Sequence, residues 1–565
     1  MHIVLSSRSS RTGQRAAALS LSLALVLSVA SIALCARAQT AADAGSAAGS
    51  RGRILLVLPF DNRTGLPSLE WIREASAEIL RSRLASAGFA PMSRADRMYA
   101  LDHLGLPRGF HPSRASSLKL AETLDADSII VGSYITDGTG IVAEAQLVEV
   151  PHLRISQPVT SRGEMRELIS VFDSLAWKLT KQLDPSFSGS EETFVGAGSG
   201  LRLDAFEQYI RGITEPDQQE RLRHLNSAVL LSPEFSPAWM ALGREDYASQ
   251  QYEQAAAAFA KVRGNDADGL EAGFYRGLSL LFSGDYTHAG ESFASVARVL
   301  PLAEVLNNEG VALARRGQDG ISLFRQAVAA DPNGADYHFN LAISLKRHGD
   351  AAEALTELAQ CLRLRPNDGE AQAIQKAWTG AEKPGVGKPG PATATGSVET
   401  EKGVEATVDP LERIQRGFDA VAFRQAAQMM DQMGASRLAA LPPLERAQML
   451  SSHAKDYLDR GLLLEAERLY QAALAADSKV AAAHAGLAEI RERTGDAEAA
   501  RKEAFAALKL EPSADAYVVL GWLDFAANHL GEANKEADEA LKLAPENTAA
   551  LELRRQIEVK QGQKK

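Results

Sequence analysis

The apolar and polar positions of this chain change pattern from one stretch to the next, and each pattern predicts a different kind of element. Arg53-Ile54-Leu55-Leu56-Val57-Leu58-Pro59-Phe60 is a nearly unbroken apolar run, as expected of a strand covered on both faces. From Ser68 to Leu84 the apolar residues take helical spacing, with Trp71, Ile72, Ala75, Ile79 and Leu80 on one side. Phe89–Ser93 predicts a short strand and Ala115–Leu124 a helix. Asp127–Tyr134 is apolar again, runs into Asp137-Gly138-Thr139-Gly140 and returns as Ile141–Val150, the pattern of a hairpin. A strand near Leu153–Thr160 and a helix at Glu164–Leu183 complete the order β-α-β-α-β-β-β-α. Residues 53–186 are therefore expected to form an α/β (α+β) domain with a mixed sheet.

Beyond it the pattern is helical throughout, and it repeats. Trp239, Leu242, Gly243, Ala255 and Phe259 are answered by Gly277, Ala289 and Phe293, 34 residues on in the Gly, Ala and Phe columns. A shortened unit carries Asn307-Asn308-Glu309-Gly310, Gly317, Phe324, Ala327 and Pro332; the next carries Leu341, Ala342, Ala354, Leu358 and Pro366. A degenerate unit with Tyr209, Gly212, Ala228 and Pro233 precedes them. The period returns at Gly461, Ala466, Tyr470 and Ala473, again at Gly495, Ala500, Ala504 and Ala507, and once more at Leu520-Gly521, Ala533, Ala540 and Pro545. Small residues let two helices approach, an aromatic fills the space between units, and the closing Pro stops the second helix. This pattern resembles the tetratricopeptide repeat. The resemblance implies antiparallel helix pairs stacked into a right-handed solenoid that presents a groove to protein partners. The fold class expected is thus multidomain, with the α/β domain followed by an all-α repeat solenoid in two parts, residues 201–378 and 446–560.

Composition adds the compartment. Arg8, Arg11 and Arg15 lead into Ala16–Ala36, 21 residues without charge, and Ala36-Arg37-Ala38 is a small-x-small site. Residues 1–38 read as a secretory signal peptide cleaved before Gln39. An uncleaved inner-membrane anchor and lipidation at Cys35 are the alternatives, and all three place the body outside the cytoplasm. Cleavage removes four arginines and no acid, moving the formal charge from −11 to −15. So acidic a chain argues against a nucleic-acid partner. Only Cys361 then remains, which leaves no intramolecular disulfide, and its position in a repeat's second helix reads as buried packing.

Val57-Leu58-Pro59-Phe60-x-Asn62, Trp71 opening a helix, and Ala126-Asp127-Ser128-Ile129-Ile130-Val131-Gly132-Ser133-Tyr134 resemble a set of bacterial envelope domains. Among these are the amino-terminal domain of TolB and the curli- and flagellar-assembly lipoproteins. The resemblance implies assembly or interaction without catalysis, in the periplasm or at the periplasmic face of the outer membrane. Phe187–Gly200, rich in Ser, Gly and Glu, reads as a hinge. Residues 379–409, with Lys383-Pro384-Gly385 and a Thr/Ala/Glu tract, read as a disordered linker. Residues 410–445 read as helical, a degenerate repeat in which Phe418, Phe423, Met429, Met430 and Met433 supply the apolar face.

No HExxH, phosphate-binding Gly-Lys-Ser/Thr loop, GxSxG or CxxC is present, so no enzyme, cofactor or metal site is expected. Asp137-Gly138-Thr139-Gly140 reads as a hairpin turn. Asp61-Asn62-Arg63 ends a buried strand, where α/β domains place ligands. It is the candidate site for the rival reading, a nucleotide or glycan sensor or an enzyme. The preferred reading is an exported protein-interaction scaffold. The resemblance implies a groove lined by the repeats' first helices. In the middle units this falls on Asn307, Asn308, Val311, Phe339, Asn340, Ile343, Lys346 and Arg347. An Asn amide both donates to and accepts from a peptide backbone, and Lys346 and Arg347 suit a carboxylate. Asn307, Asn308, Phe339, Asn340, Lys346 and Arg347 are the candidate peptide-binding residues; a tie between adjacent helices is the competing role for the asparagines. Peripheral outer-membrane association and self-association stay open.

Overall fold

The computed structural model describes residues 54–380, 410–417 and 433–562, apart from 108, 110–112, 137, 199 and 263–266. The expected signal peptide at residues 1–38 lies outside the described residues, as do residues 381–409 of the expected linker at 379–409, whose first two residues are helical.

Among the described residues the first domain holds seven strands: β1 (Ile54–Val57), β2 (Asp61–Asn62), β3 (Ala90–Pro91), β4 (Ser128–Thr136), β5 (Gly140–Glu149), β6 (Arg154–Ile155) and β7 (Val159–Glu164). β3, β1 and β4 run parallel, with Leu55 beside Ser128 and Val57 beside Ile130. β2 continues past β1 along β4, pairing Asn62 with Tyr134. β4, β5 and β7 are antiparallel, so the sheet is mixed. The helices are α1 (Ile72–Ser86), α2 (Arg94–His103), α3 (Arg114–Thr123) and α4 (Leu168–Leu183). Alternate residues of β1 serve opposite layers. Leu55 and Val57 pack with Ile72, Leu80, Phe172 and Leu175 of α1 and α4. Leu56 and Leu58 pack with Ala100, Leu101 and Leu120 of α2 and α3. Coverage on both faces is why the strand carries no polar alternation. Helix α2 is absent from the sequence reading. Its signal is the reciprocal cap at its start, where Ser93 Oγ accepts from Asp96 N (3.1 Å) and Ser93 N donates to the Asp96 carboxylate (3.1 Å).

Phe187–Gly200 is not the hinge its composition suggests. Ser190 caps α5 (Glu191–Ala197), and Thr193 and Phe194 are fully buried. Phe194 belongs to the α/β core, which continues through Phe206 and Ile210 into the first repeat. One aromatic in a short capped turn outweighs the Ser/Gly bias around it.

The first repeat set pairs α6 (Leu203–Thr214) with α7 (Gln218–Leu231), α8 (Ser236–Ala248) with α9 (Tyr252–Phe259), and α10 (Ala267–Ser283) with α11 (Tyr286–Val299). Then come α12 (Ala303–Arg315) with α13 (Ile321–Ala330), α14 (Ala335–His348) with α15 (Ala351–Leu364), and α16 (Gly369–Gly380). The second set pairs α17 (Pro443–Asp459) with α18 (Leu463–Ala476), and α19 (Ala481–Arg493) with α20 (Ala497–Leu510). It ends with α21 (Ala514–Ala526), α22 (Leu530–Leu543) and α23 (Thr548–Gly562). Within three units of the first set a glycine faces the aromatic of its partner helix. A Cβ at Gly243, Gly277 or Gly310 would stand 2.8, 2.6 and 2.8 Å from the rings of Phe259, Phe293 and Phe324. Cys361 is buried on α15, which pushes its thiol pKa up to about 11.

Residues 410–417 correct the helical reading of 410–445 at its start: they carry neither helix nor strand. The spacing of Leu411, Ile414 and Phe418 mimics a helix, but the main chain here is bonded to side chains of α12 and α14. Residues 433–440 are helical, and 418–432 lie outside the described residues.

The second set folds back onto the first domain through α5. Arg491 of α19 donates to Ser190 Oγ (2.7 Å) and Thr193 Oγ1 (2.9 Å) and pairs with Glu467 of α18. Glu467 is 1% exposed; burial pushes its pKa up and Arg491 opposes the shift. Leu464 joins the core that holds Phe194.

Two outcomes follow from this packing. Gly277→Ala must displace the Phe293 ring and should lower stability by about 1–3 kcal/mol, read as an earlier thermal transition. Arg491→Ala leaves Glu467 buried without its counter-ion and should weaken the docked state by about 3 kcal/mol, whereas replacing both by Met and Leu should restore most of it. Limited proteolysis around residues 187–200 checks the second outcome.

Candidate functional site

Helices α12 and α14 stand side by side and expose Asn307, Asn308 and Asn340 toward one extended stretch of the chain's own backbone, Pro410–Gly417. Asn340 Nδ2 donates to the Arg413 carbonyl (2.8 Å), and its Oδ1 accepts from Arg413 N (2.6 Å). Asn308 does the same two residues on, donating to the Gln415 carbonyl (2.8 Å) and accepting from Gln415 N (2.9 Å). Asn307 donates to the Arg413 carbonyl (3.1 Å), and its Oδ1 accepts from Asn340 (2.8 Å). All three asparagines are fully buried with the segment in place. Because both main-chain groups of alternate residues are bound, this grip does not depend on side-chain identity.

Side chains are read separately, on opposite walls. Glu412 is 3% exposed and forms ion pairs with Arg315 and Arg347. The same two arginines hold main-chain oxygens, Arg347 the Pro410 carbonyl (2.7 Å) and Arg315 the Glu412 carbonyl (3.1 Å). The Arg413 guanidinium lies 3.6 Å above the Phe339 ring centre. It donates to Asp368 (2.6 and 2.9 Å), Asp336 (3.0 Å) and Glu370 (2.8 Å). Hydrogen bonds from Arg413 hold Asp368 below its usual range. At Asp336 burial works upward, but the bonds from Arg365 and Arg413 outweigh it and the pKa falls. Ile414 packs against the cluster containing Phe274 and Val311.

The sequence-predicted residues therefore divide. Asn307, Asn308, Phe339, Asn340 and Arg347 meet on this segment. Lys346 stands instead over the Trp378 ring, 5.4 Å from its centre. Val311 and Ile343 are buried packing residues. Arg315 and Asp336 were missed, although both lie on the same first helices as the asparagines: Arg315 is the thirteenth residue of α12, the place Arg347 takes on α14, and Asp336 is the second residue of α14. Glu370, the second residue of α16, stands in the same register as Asp336, whereas Asp368 precedes that helix and carried no such signal.

The strand-1 turn has a different character. Asn62 Oδ1 accepts from Thr64 N (3.0 Å) and Thr64 Oγ1 (2.6 Å), and its Nδ2 donates to the Leu66 carbonyl (3.1 Å) and Glu70 (3.0 Å). Those four bonds use the full capacity of a side-chain amide, so Asn62 serves the turn. A depression of about 120 Å³ lies beside it, lined by Asp61, Arg63, Ser133, Glu144 and Gln146. A larger one of about 480 Å³ lies in the second set, among Lys455, Asp459, Glu489, Arg493, Asp515 and Trp522. Among the described residues no group of three His, Cys, Asp or Glu side chains is placed to hold a metal ion. No described helix is long and apolar enough to cross a membrane.

The tetratricopeptide repeat family model matches residues 240–304, 309–369 and 452–517. No curated protein matches the chain. Among solved structures, a MamA fragment from Desulfovibrio magneticus RS-1 is 23% identical, covering 30% of this chain and 99% of its own, with a TM-score of 0.27. YrrB, a tetratricopeptide-repeat protein with an unusual peptide-binding site, is 15% identical over 36% of this chain and 99% of its own, at 0.27. The C-terminal domain of LpoB from Salmonella enterica is 23% identical over 21% of this chain and 86% of its own, at 0.19. This chain carries tetratricopeptide repeats behind a mixed-sheet domain, and such repeats are protein-interaction modules.

The segment's hold is testable. Asn308→Ala combined with Asn340→Ala should raise amide exchange over residues 411–416 at least tenfold, because the bonds that protect Arg413 N and Gln415 N are lost. Asp336 and Asp368 stay charged below the usual carboxylate range while Arg413 is docked. Docking should therefore hold at neutral pH and weaken as the pH falls into and below that range, which exchange measured across a pH series reads directly.

Proposed function

We propose that this chain is an exported, non-enzymatic scaffold of the bacterial cell envelope that holds extended segments of partner proteins in the groove of its first repeat set. The observation that carries this reading is the asparagine pair. Asn308 and Asn340 each bind the N–H and the C=O of one residue of an extended strand, two residues apart. That is the chemistry of backbone capture. The arginine lead, the uncharged stretch to Ala36 and the Ala36-Arg37-Ala38 site support export with Gln39 as the mature N-terminus. Of the rival site's Asp61-Asn62-Arg63, Asn62 is fully engaged in its own turn.

The test places a photo-crosslinking residue at Lys346, beside the groove, in a tagged full-length chain expressed in a bacterium. The expected result is a defined set of crosslinked partner segments that disappears when Asn308 and Asn340 are both changed to Ala, in a protein whose N-terminal peptide begins at Gln39. Crosslinks that survive the double substitution move the partner site away from the groove. Intact peptides containing Arg8 in the envelope fraction remove the cleavage reading.

A further inference from the structure

Resting on the groove as a partner site, we infer that residues 410–416 are a built-in competing ligand, and that they spell the class of segment the groove accepts. That class is an extended stretch with an acidic residue followed by arginine, an aliphatic residue and a hydrogen-bonding side chain, here Glu412-Arg413-Ile414-Gln415.

The segment belongs to no repeat. It reaches α12 and α14 from a distant part of the chain, with residues 381–409 between it and the end of α16. Tethering converts its binding into an intramolecular event with an effective concentration on the order of millimolar, so even a weak ligand stays docked until a partner competes.

Its selectivity comes from two pockets of opposite charge. Successive residues of an extended strand project to opposite sides, and the walls match that geometry. Arg315 and Arg347 take the carboxylate of Glu412. The Phe339 ring with Asp336, Asp368 and Glu370 takes the guanidinium of Arg413. Gln415 Nε2 donates to Asp336 (3.1 Å), so the third side chain is read too. Reversing the order of acid and base would put like charges against both walls.

The character of the hold separates a displaceable ligand from a structural strap. Leu411 is 55% exposed, and Ile414 is the one aliphatic residue of the segment that packs on the core. Most of the contacts are hydrogen bonds and ion pairs, which an incoming segment of the same kind replaces one for one. The α5 latch, by contrast, is anchored by the fully buried Phe194.

The probe is a fluorescein-labelled synthetic peptide of residues 409–417, titrated against the full chain by anisotropy. It should bind the unaltered chain weakly. It should bind at least tenfold more tightly to a full chain carrying Glu412→Lys and Arg413→Glu, whose own segment no longer fits. Adding Asn340→Ala to that chain should remove the gain. A probe with Glu and Arg exchanged should bind neither. A second chain, with residues 410–416 replaced by a Gly/Ser linker, repeats the comparison should the charge-reversed chain melt early. Equal binding to the unaltered and released chains overturns self-competition, whether both bind well or neither binds. A concentration-dependent dimer of the unaltered chain that the free peptide dissociates also overturns it, because the occupant is then a second copy. If the peptide behaves as expected while groove-dependent partner crosslinks are absent, the competing ligand stands and the scaffold reading fails. If those crosslinks appear and the peptide does not discriminate, the scaffold reading stands and this inference fails.

Discussion

The close approach of a glycine on one helix to an aromatic ring on the next sets the scale of everything built on the first repeat set. At Gly277 and Gly310 a Cβ would stand within 2.6 to 2.8 Å of Phe293 and Phe324, so the paired helices sit nearer than any larger residue allows. The ring in turn fills the space beneath the following unit. Helices α12 and α14 are held side by side by this packing. Their asparagines therefore reach residues two apart on one extended strand. The binding surface is polar, but its spacing is fixed by an apolar contact beneath it.

The chain returns to its own first half twice, by different chemistry. At α5 the return is partly apolar: Phe194 and Leu464 share a core, and the Arg491–Glu467 pair is buried with its hydroxyl partners Ser190 and Thr193. A buried pair of this kind tolerates no missing member. At the groove the return is mostly polar: the carbonyls of Pro410, Glu412, Arg413 and Gln415 and the N–H groups of Arg413 and Gln415 are each bound by a side-chain amide or guanidinium. Satisfied polar contacts gain little net stability over water, so this second return is the weaker of the two although its bonds are more numerous.

The parts of the fold legible in the sequence are those whose cause is local. The 34-residue period follows from helix spacing and small residues, and the apolar run at Ile54–Leu58 follows from coverage of one strand on two faces. The misread parts have distant causes. Phe187–Gly200 has the composition of a hinge, yet Phe194 is buried by residues of α1, α4 and the second repeat set. Residues 410–417 have helical spacing, yet the main-chain groups of Arg413 and Gln415 are taken by asparagines 73 to 107 positions away. Periodicity cannot report such partners, since it records only which neighbours along the chain are apolar. The candidate site was half legible for the same reason. Asn307, Asn308, Phe339, Asn340 and Arg347 follow from the repeat register, while the strand they hold does not.

A groove that grips backbone has no intrinsic selectivity, because every residue offers the same N–H and C=O. Selectivity here must come from side chains, and the chain's own segment shows where it enters. Arg315 and Arg347 define one wall, Asp336, Asp368 and Glu370 the other, and Phe339 lies under the guanidinium between them. Each wall alone would attract any ion of opposite sign. Placed on either side of a strand whose side chains alternate, the two walls together match the opposite charges of the adjacent Glu412 and Arg413 in that order. The asparagines fix the strand in place so that the order is read, while Arg315 and Arg347 serve both ends, holding main-chain oxygens as well as the Glu412 carboxylate.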